Sequence, residues 1–397
     1  MSFKRLLLAA LALAVPSVIL VTQASASGAP ARGALLSATR IAQLPPIAIR
    51  KTLTHTGVSP SGVRDGVDAY RLMYETASPT GAPINASGLM VLPDHGRPDR
   101  GTIVFEHGTT VFRGYAPSAS SDTDARLVAL LDGSAGFTTI APDYLGLGSG
   151  NGPQAYVQVK TEVSASIDLV RAARTFERRS GRTLDGQLLV SGFSQGGQAA
   201  MGLGEALQGG RADGLSLRGL AAVSGVYDLQ PAEIRAILSG AAQATTANYN
   251  LTVFALSWRH LYGVFGDPNQ IFQPAGARLV HLFDGRHPDS QIFAALPHTL
   301  TAMFRPAFLA QLAHPHGALL RALKANDATC DWRPQVPIKL FYSPIDEAVA
   351  PSNTARCVAA LRSRGSSVDV ADVGRLHHLQ TILAAAPRIL TWFEQKR

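Results

Sequence analysis

The chain has 397 residues, 46% of them hydrophobic and 16% charged, with a formal net charge of +8. That composition supplies a sizeable core and excludes a disordered polymer, and the length suits one large domain or two ordinary ones. The basic residues are spread along the chain rather than clustered, so they carry no nucleic-acid footprint and leave room only for transient contact with a lipid interface.

The N-terminus reads as a targeting segment. Lys4 and Arg5 precede an apolar run over 6–21, and Ala24-Ser25-Ala26 then offers a small-residue cleavage signal. The run is short for a membrane span and Pro16 interrupts it, so residues 1–26 are assigned to a signal peptide cut before Ser27. The expected destination is extracellular or periplasmic.

Residues 27–50 are rich in Ala, Gly and Pro and are expected to lie extended over the surface. Alternation predicts strands over 67–75 and 87–92, separated by turn residues Pro79, Gly81 and Pro83 and pairing antiparallel at the edge of a larger sheet. The apolar run 102–105 predicts a buried strand that ends in Glu106-His107-Gly108-Thr109-Thr110. A loop at this place donates a backbone N–H to the oxyanion in hydrolases built around a nucleophile elbow. Thr109 is the assigned donor, Thr110 its near alternative, and His107 a residue that shapes the loop. Helical spacing covers 122–131, and a strand over 137–141 runs into Pro142-Asp143-Tyr144-Leu145-Gly146-Leu147-Gly148. A helix is predicted over 159–176, with Thr161 as N-cap and Gly181 as its stop.

The chain is organised around the next stretch. The apolar run 188–190 leads into Ser191-Gly192-Phe193-Ser194-Gln195-Gly196-Gly197, and a small-residue helix pattern follows at once. This is G-x-S-x-G in a strand–turn–helix context, which strains the backbone at Ser194 and exposes its hydroxyl above the sheet. Gly192 and Gly196 leave room where a Cβ would strike the neighbouring strand or helix. The N–H of Gln195, at the start of the helix, is the second expected oxyanion donor. Asp143 precedes Ser194, against the usual order of serine, acid and histidine, so it is read as a structural carboxylate holding the Gly-rich loop.

A buried strand over 219–225 follows, after which the strand–helix rhythm stops. Residues 230–327 are helical in pattern, with runs at 234–238, 253–265 and 304–323, and are expected to cap the C-terminal edge of the sheet. His314 and His316 lack companion ligands and are read as loop histidines, not a metal pair. A strand over 336–342 ends near Asp346, the best-placed acid, with Glu347 expected to point elsewhere. A helix from about Pro351 and an outer strand over 367–373 come next. His377 and His378 then precede a closing amphipathic helix. His378 is preferred as the base, with His377 shaping the loop. The two cysteines, Cys330 and Cys357, form an even pair in an oxidising compartment and are expected to be bridged.

Ser194, Asp346 and His378, in that order and each after a separate strand, give nucleophile, acid and base for acyl transfer. Their segments resemble the secreted lipases and esterases of the α/β-hydrolase fold, in particular the secretory lipases of fungi and bacteria. Glu106-His107-Gly108-Thr109, Asp143 to Gly148, the elbow itself and Asp331-Trp332-Arg333-Pro334 carry the resemblance. It implies an α/β fold with a mostly parallel sheet, flanking helices and a helical cap. It also implies hydrolysis of a small-molecule or lipid ester without metal or organic cofactor. Such hydrolases often carry Asp directly before the histidine, and here His377 takes that place. The expected division is leader 1–26, core 27–229, cap 230–327 and core 328–397. A peptidase or plant-wall acyl or feruloyl esterase on the same fold is the alternative, and a binding protein on a hydrolase scaffold is the third reading. Asn85-Ala86-Ser87 and Asn250-Leu251-Thr252 match the N-glycosylation pattern.

Overall fold

The computed structural model describes residues 18–19, 31–94 and 99–396. Apart from Val18 and Ile19, the expected signal peptide lies outside the described residues. One sheet forms the frame. Its strands are β1 (Val18–Ile19), β2 (Leu35–Leu44), β3 (Gly66–Ala77), β4 (Pro83–Asp94), β5 (Thr102–Glu106), β6 (Thr138–Pro142), β7 (Gln187–Phe193), β8 (Ser216–Val223), β9 (Ile338–Tyr342) and β10 (Asp369–Asp372). They lie in the order β1-β2-β3-β4-β6-β5-β7-β8-β9-β10. The pairs from β1 to β4, and β4 with β6, are antiparallel. From β6 to β10 all neighbours are parallel.

The central strands are apolar on both faces because both faces are covered, as parallel sheets require. Successive side chains of β7 alternate between two cores. Leu188 and Val190 pack with Ile167, Leu169 and Leu203 from the helices Val159–Arg179 and Gln195–Gln208. Leu189 and Phe193 pack with Leu127, Leu131, Ile382 and Phe393 from the helices Asp124–Ser134 and His378–Glu394. The result is a three-layer α/β-hydrolase fold.

Between β8 and β9 the chain forms helices, with only an isolated bridge between Phe272 and Phe304. These helices build a third apolar core around Trp258, Phe254, Phe272, Phe304 and Phe308. The run expected over 304–323 is two helices, Pro306–Ala313 and Gly317–Asn326, broken where His314 and His316 occupy the caps. Among the described residues no helix is long and apolar enough to cross a membrane, and no group of three or more His, Cys, Asp or Glu side chains is arranged to hold a metal ion.

Three expectations need correction. Residues 27–50 are not simply extended over the surface. β2 pairs with β3 along most of its length, and Pro46–His55 is a helix that buries Ile49 and Leu53. The Ala and Pro content hid a strand whose apolar side chains are only partly covered. Thr161 is not the N-cap of its helix, which starts at Val159 after Gln158. Thr161 instead turns its hydroxyl back to the Gln158 carbonyl from inside the first turn. Glu347 does not point away from the histidine loop, as the site below makes clear.

The cysteines form a disulfide, Cys330–Cys357. It ties the loop before β9 to the helix Ser352–Ser363. Both glycosylation patterns lie within elements, and their hydroxyls are engaged. Ser87 on β4 donates to Asp143, and Thr252 in the helix Ala244–Tyr262 donates to the Asn248 carbonyl.

Candidate active site

β7 ends at Phe193 and the helix Gln195–Gln208 begins one residue later, so Ser194 alone makes the turn. Its φ is 58° and its ψ −121°, a region that side-chain-bearing residues seldom occupy. The surroundings enforce it. The Ser194 N–H donates to the Val223 carbonyl at 3.0 Å, and its carbonyl accepts from Gly197 N–H at 2.9 Å. A Cβ on Gly192 would strike the Gly196 carbonyl, and a Cβ on Gly196 would strike that of Glu106. Close backbone packing therefore requires both glycines.

Ser194 Oγ lies 2.9 Å from His378 Nε2. The other ring nitrogen, Nδ1, lies 2.8 and 2.9 Å from the two carboxylate oxygens of Asp346. Asp346 sits in the turn after β9, where its Oδ1 accepts from the N–H groups of Ala348 and Val349. Burial pushes its pKa up, but hydrogen bonding and attraction to His378 and the Val349 N–H outweigh it, leaving a net downward shift. The carboxylate therefore stays ionised beside the imidazole. The Phe193 ring packs on that of His378, with centroids 4.6 Å apart.

The two histidines separate clearly. The His378 side chain is 16% exposed and joins Ser194 to Asp346. That of His377 is 70% exposed and faces Glu347, with Nδ1 to Oε2 at 3.1 Å. The Glu347 carboxylate also accepts from the His378 N–H, at 3.2 Å to Oε2. One turn thus supplies both carboxylates: Asp346 holds the ring of His378 and Glu347 holds its backbone.

The loop after β5 closes the other side. A Cβ built on Gly108 would lie 3.5 Å from that of Ser194, so the loop backbone runs beside Ser194. His107 stacks on Tyr144, and its ring nitrogens lie 2.7 Å from the Gly108 carbonyl and 3.3 Å from that of Asp143. It shapes the loop. Asp143 is buried and accepts from Ser87 Oγ, Ser118 N–H and Ser118 Oγ, while Ser87 Oγ accepts from Ser149 N–H. This is the structural tether that the chain order suggested. Thr109 carries its hydroxyl 3.2 Å from Tyr156 OH. Gln195 is the first residue of its helix, so its N–H lacks an intrahelical acceptor.

Sequence reasoning missed several buried carboxyls around this centre. Glu162 accepts from the Gln195 side chain at 2.7 Å, and burial raises its pKa to about 8. Burial likewise raises Glu106, at the end of β5, and Glu233, which holds Ala350 N–H and the Asn353 amide, each to about 7. Only contacts made across long sequence separations identify them.

Ser194 and His378 open into a cavity of about 690 Å³. Phe112, Tyr115 and Asp124 line it from the core, Thr246, Tyr249, Asn250, Asp289 and Phe293 from the helical segment, and Leu379 from the last helix. Its carboxyl groups are Asp122, Asp124, Asp289 and Glu347, burial raising the pKa of Asp124, and among the described residues no Lys or Arg lines it.

The sequence profile of the secretory lipase family matches residues 118–397. The chain belongs to the secretory lipase family. Solved structures agree. The rice cell wall degrading esterase LipA from Xanthomonas oryzae superposes with a TM-score of 0.82 at 25% identity, covering 93% of this chain and 100% of that one. A provisionally assigned hydrolase of Legionella pneumophila gives 0.83 at 26% identity, covering 91% and 98%. Candida antarctica lipase A in its closed state gives 0.65 at 15% identity over 92% and 82%, a likeness of fold. No curated protein sequence matches. Membership of the secretory lipase family, with esterase and hydrolase neighbours across the whole fold, makes this chain a carboxylic ester hydrolase.

Proposed function

We propose that this member of the secretory lipase family is a secreted serine hydrolase that cleaves acyl esters through Ser194, His378 and Asp346. The observation that carries the reading is the unbroken chain from Ser194 Oγ through His378 to Asp346, each link at 2.8–2.9 Å. His378 Nε2 takes the proton of Ser194 as Oγ attacks the ester carbonyl. Asp346 fixes the Nδ1–H tautomer and stabilises the imidazolium. The N–H groups of Thr109 and Gln195 hold the oxyanion. His378 then gives its proton to the departing alcohol, and water activated by His378 releases the acyl group. The substrate is a small-molecule or lipid ester, met at most transiently at an interface, and no nucleic acid takes part. Export after removal of residues 1–26 is supported by the leader pattern, the family's secretory character and the disulfide. N-terminal sequencing of the exported protein should begin at Ser27.

The likeness to a rice cell wall degrading esterase over that protein's full length favours a second substrate reading, wall acyl esters. Hydrolysis of p-nitrophenyl esters from acetate to palmitate, with aminoacyl-nitroanilides alongside, tests both. A long-chain optimum supports a lipase, and a short-chain optimum supports a wall or short-chain esterase. Preference for the anilides would overturn ester hydrolysis as the main activity.

A further inference from the structure

The carboxylate of Asp289, at the start of the short helix Asp289–Ala295, is loaded with donors. Its Oδ2 accepts from Thr110 Oγ1 at 2.6 Å. Its Oδ1 accepts from Val111 N–H at 3.2 Å, Phe112 N–H at 3.3 Å and Tyr249 OH at 2.7 Å. Tyr249 OH also accepts from Val111 N–H, at 2.8 Å. The next residue of the loop, Arg113, gives its N–H to the Gly285 carbonyl at 2.9 Å. The stretch 110–113, directly after Thr109, is therefore bound residue by residue to the helical segment. On the core side, the Gln154 amide donates to the Thr110 carbonyl at 2.8 Å and the Arg113 guanidinium donates to the Gly150 carbonyl.

We infer that Asp289 is a positioning residue for the oxyanion loop. The inference rests on the serine-hydrolase reading above, because the loop matters to catalysis only if Thr109 faces the tetrahedral intermediate. A loop with successive free N–H groups can present several of them to a ligand. Asp289 consumes those of Val111 and Phe112, and the hydroxyl of Thr110, so these donors are satisfied by the helical segment and are not free for a ligand in the cleft. The Thr109 N–H is not among the donors that Asp289 takes, and Thr109 lines the same cavity as Ser194. An oxyanion donor is useful only when held near the position of the developing charge beforehand, and an error of about 1 Å costs about 100-fold in rate. The helical segment thus fixes the catalytic loop as well as walling the pocket, with Tyr249 as the second point of the clamp.

The test compares Asp289→Asn, Asp289→Ala, Tyr249→Phe and Ser194→Ala with the parent enzyme. Asp289→Asn keeps shape and one acceptor but loses the charge that draws several donors together. The expected result is kcat on p-nitrophenyl butyrate lowered about 10–100-fold in Asp289→Asn, with KM within about twofold and melting temperature nearly unchanged. Affinity for phenylboronic acid, which becomes tetrahedral and anionic on the serine, should fall by a similar factor. A merely structural role would lower the melting temperature and leave that affinity alone. Tyr249→Phe should show the same pattern more weakly and keeps the test decisive if Asp289→Ala does not fold. Unchanged kcat and boronate affinity in both Asp289→Asn and Tyr249→Phe, or a rise in KM alone, would overturn the positioning role. Activity surviving in Ser194→Ala would overturn the serine-hydrolase reading and this inference with it.

Discussion

At the scale of single residues, the site concentrates unusual conformations and protonation states where chemistry needs them. Ser194 holds a strained backbone that brings its hydroxyl to His378, and the proposed mechanism rests on that oxygen. Ser194→Ala should fold normally and lose about 1,000-fold or more of kcat on a p-nitrophenyl ester, as removal of a triad nucleophile does. Circular dichroism and steady-state rates on the same preparation check it. Glu162 makes a different prediction. Burial lifts its carboxyl from an ordinary value near 4.5 to about 8, so the folded protein keeps it protonated where the unfolded chain has released the proton. The native state therefore binds more protons, and this group lowers stability progressively as pH rises from about 4.5 to about 8. Glu162→Gln imitates the neutral acid and still accepts from the Gln195 amide. Urea unfolding at pH 5 and pH 8 should give a smaller loss of stability on raising the pH for Glu162→Gln than for the parent. An equal loss would mean that Glu162 is not the group responsible.

Whole elements show what a one-dimensional pattern can and cannot carry. The elbow was legible because a strand, a tight turn and a helix N-terminus follow one another without interruption, and glycines are obligatory where backbones touch. Asp346 and His378 were legible as candidates for acid and base because each follows a strand and the chain order is that of such hydrolases. β2 was not, since its alternation is blurred by bulges opposite β3 and by half-covered side chains. Asp289, Glu162 and Glu233 were not, because each acts on partners far along the chain and no local pattern marks a carboxylate that will be buried. The cysteine pair was read from count and compartment, and it now has a structural consequence. The disulfide closes a loop of 27 residues around β9 and anchors the helix that follows the acid turn. Replacing both cysteines by serine should cost about 3 kcal/mol on the chain-entropy account of such a loop. Because Asp346 lies inside the loop, thermal inactivation should advance with the fall in melting temperature. Parallel scans of activity and unfolding, with and without reductant, measure both.

Across the whole molecule the sign of charge is divided. The chain carries a formal +8, yet among the described residues the cavity over Ser194 is lined by four carboxyl groups and no Lys or Arg. Two of them are committed: Asp289 accepts from Thr110, Val111 and Phe112 of the loop after β5 and from Tyr249, and Glu347 holds the histidine turn. Asp122 and Asp124 line it from the core, and burial raises the pKa of Asp124. An acyl chain that ends in its own carboxylate would add negative charge to this enclosure. At an effective dielectric of about 20, two like charges about 8 Å apart repel by about 2 kcal/mol, enough to lower kcat/KM by more than tenfold. A neutral ester of the same length meets no such penalty, and the carboxylate product is expelled by the same field. The expected outcome is that p-nitrophenyl butyrate is hydrolysed at least about tenfold more efficiently than p-nitrophenyl hemisuccinate at low ionic strength. Because solvent-exposed charges are screened over about 10 Å at 0.1 M salt, raising the salt should narrow that gap, while leaving the butyrate rate nearly constant. Asp122→Asn should narrow it as well. Equal rates on the two esters at low salt would mean that the carboxylates around the cavity are neutralised or turned away from the acyl group, and that substrate choice rests on shape alone.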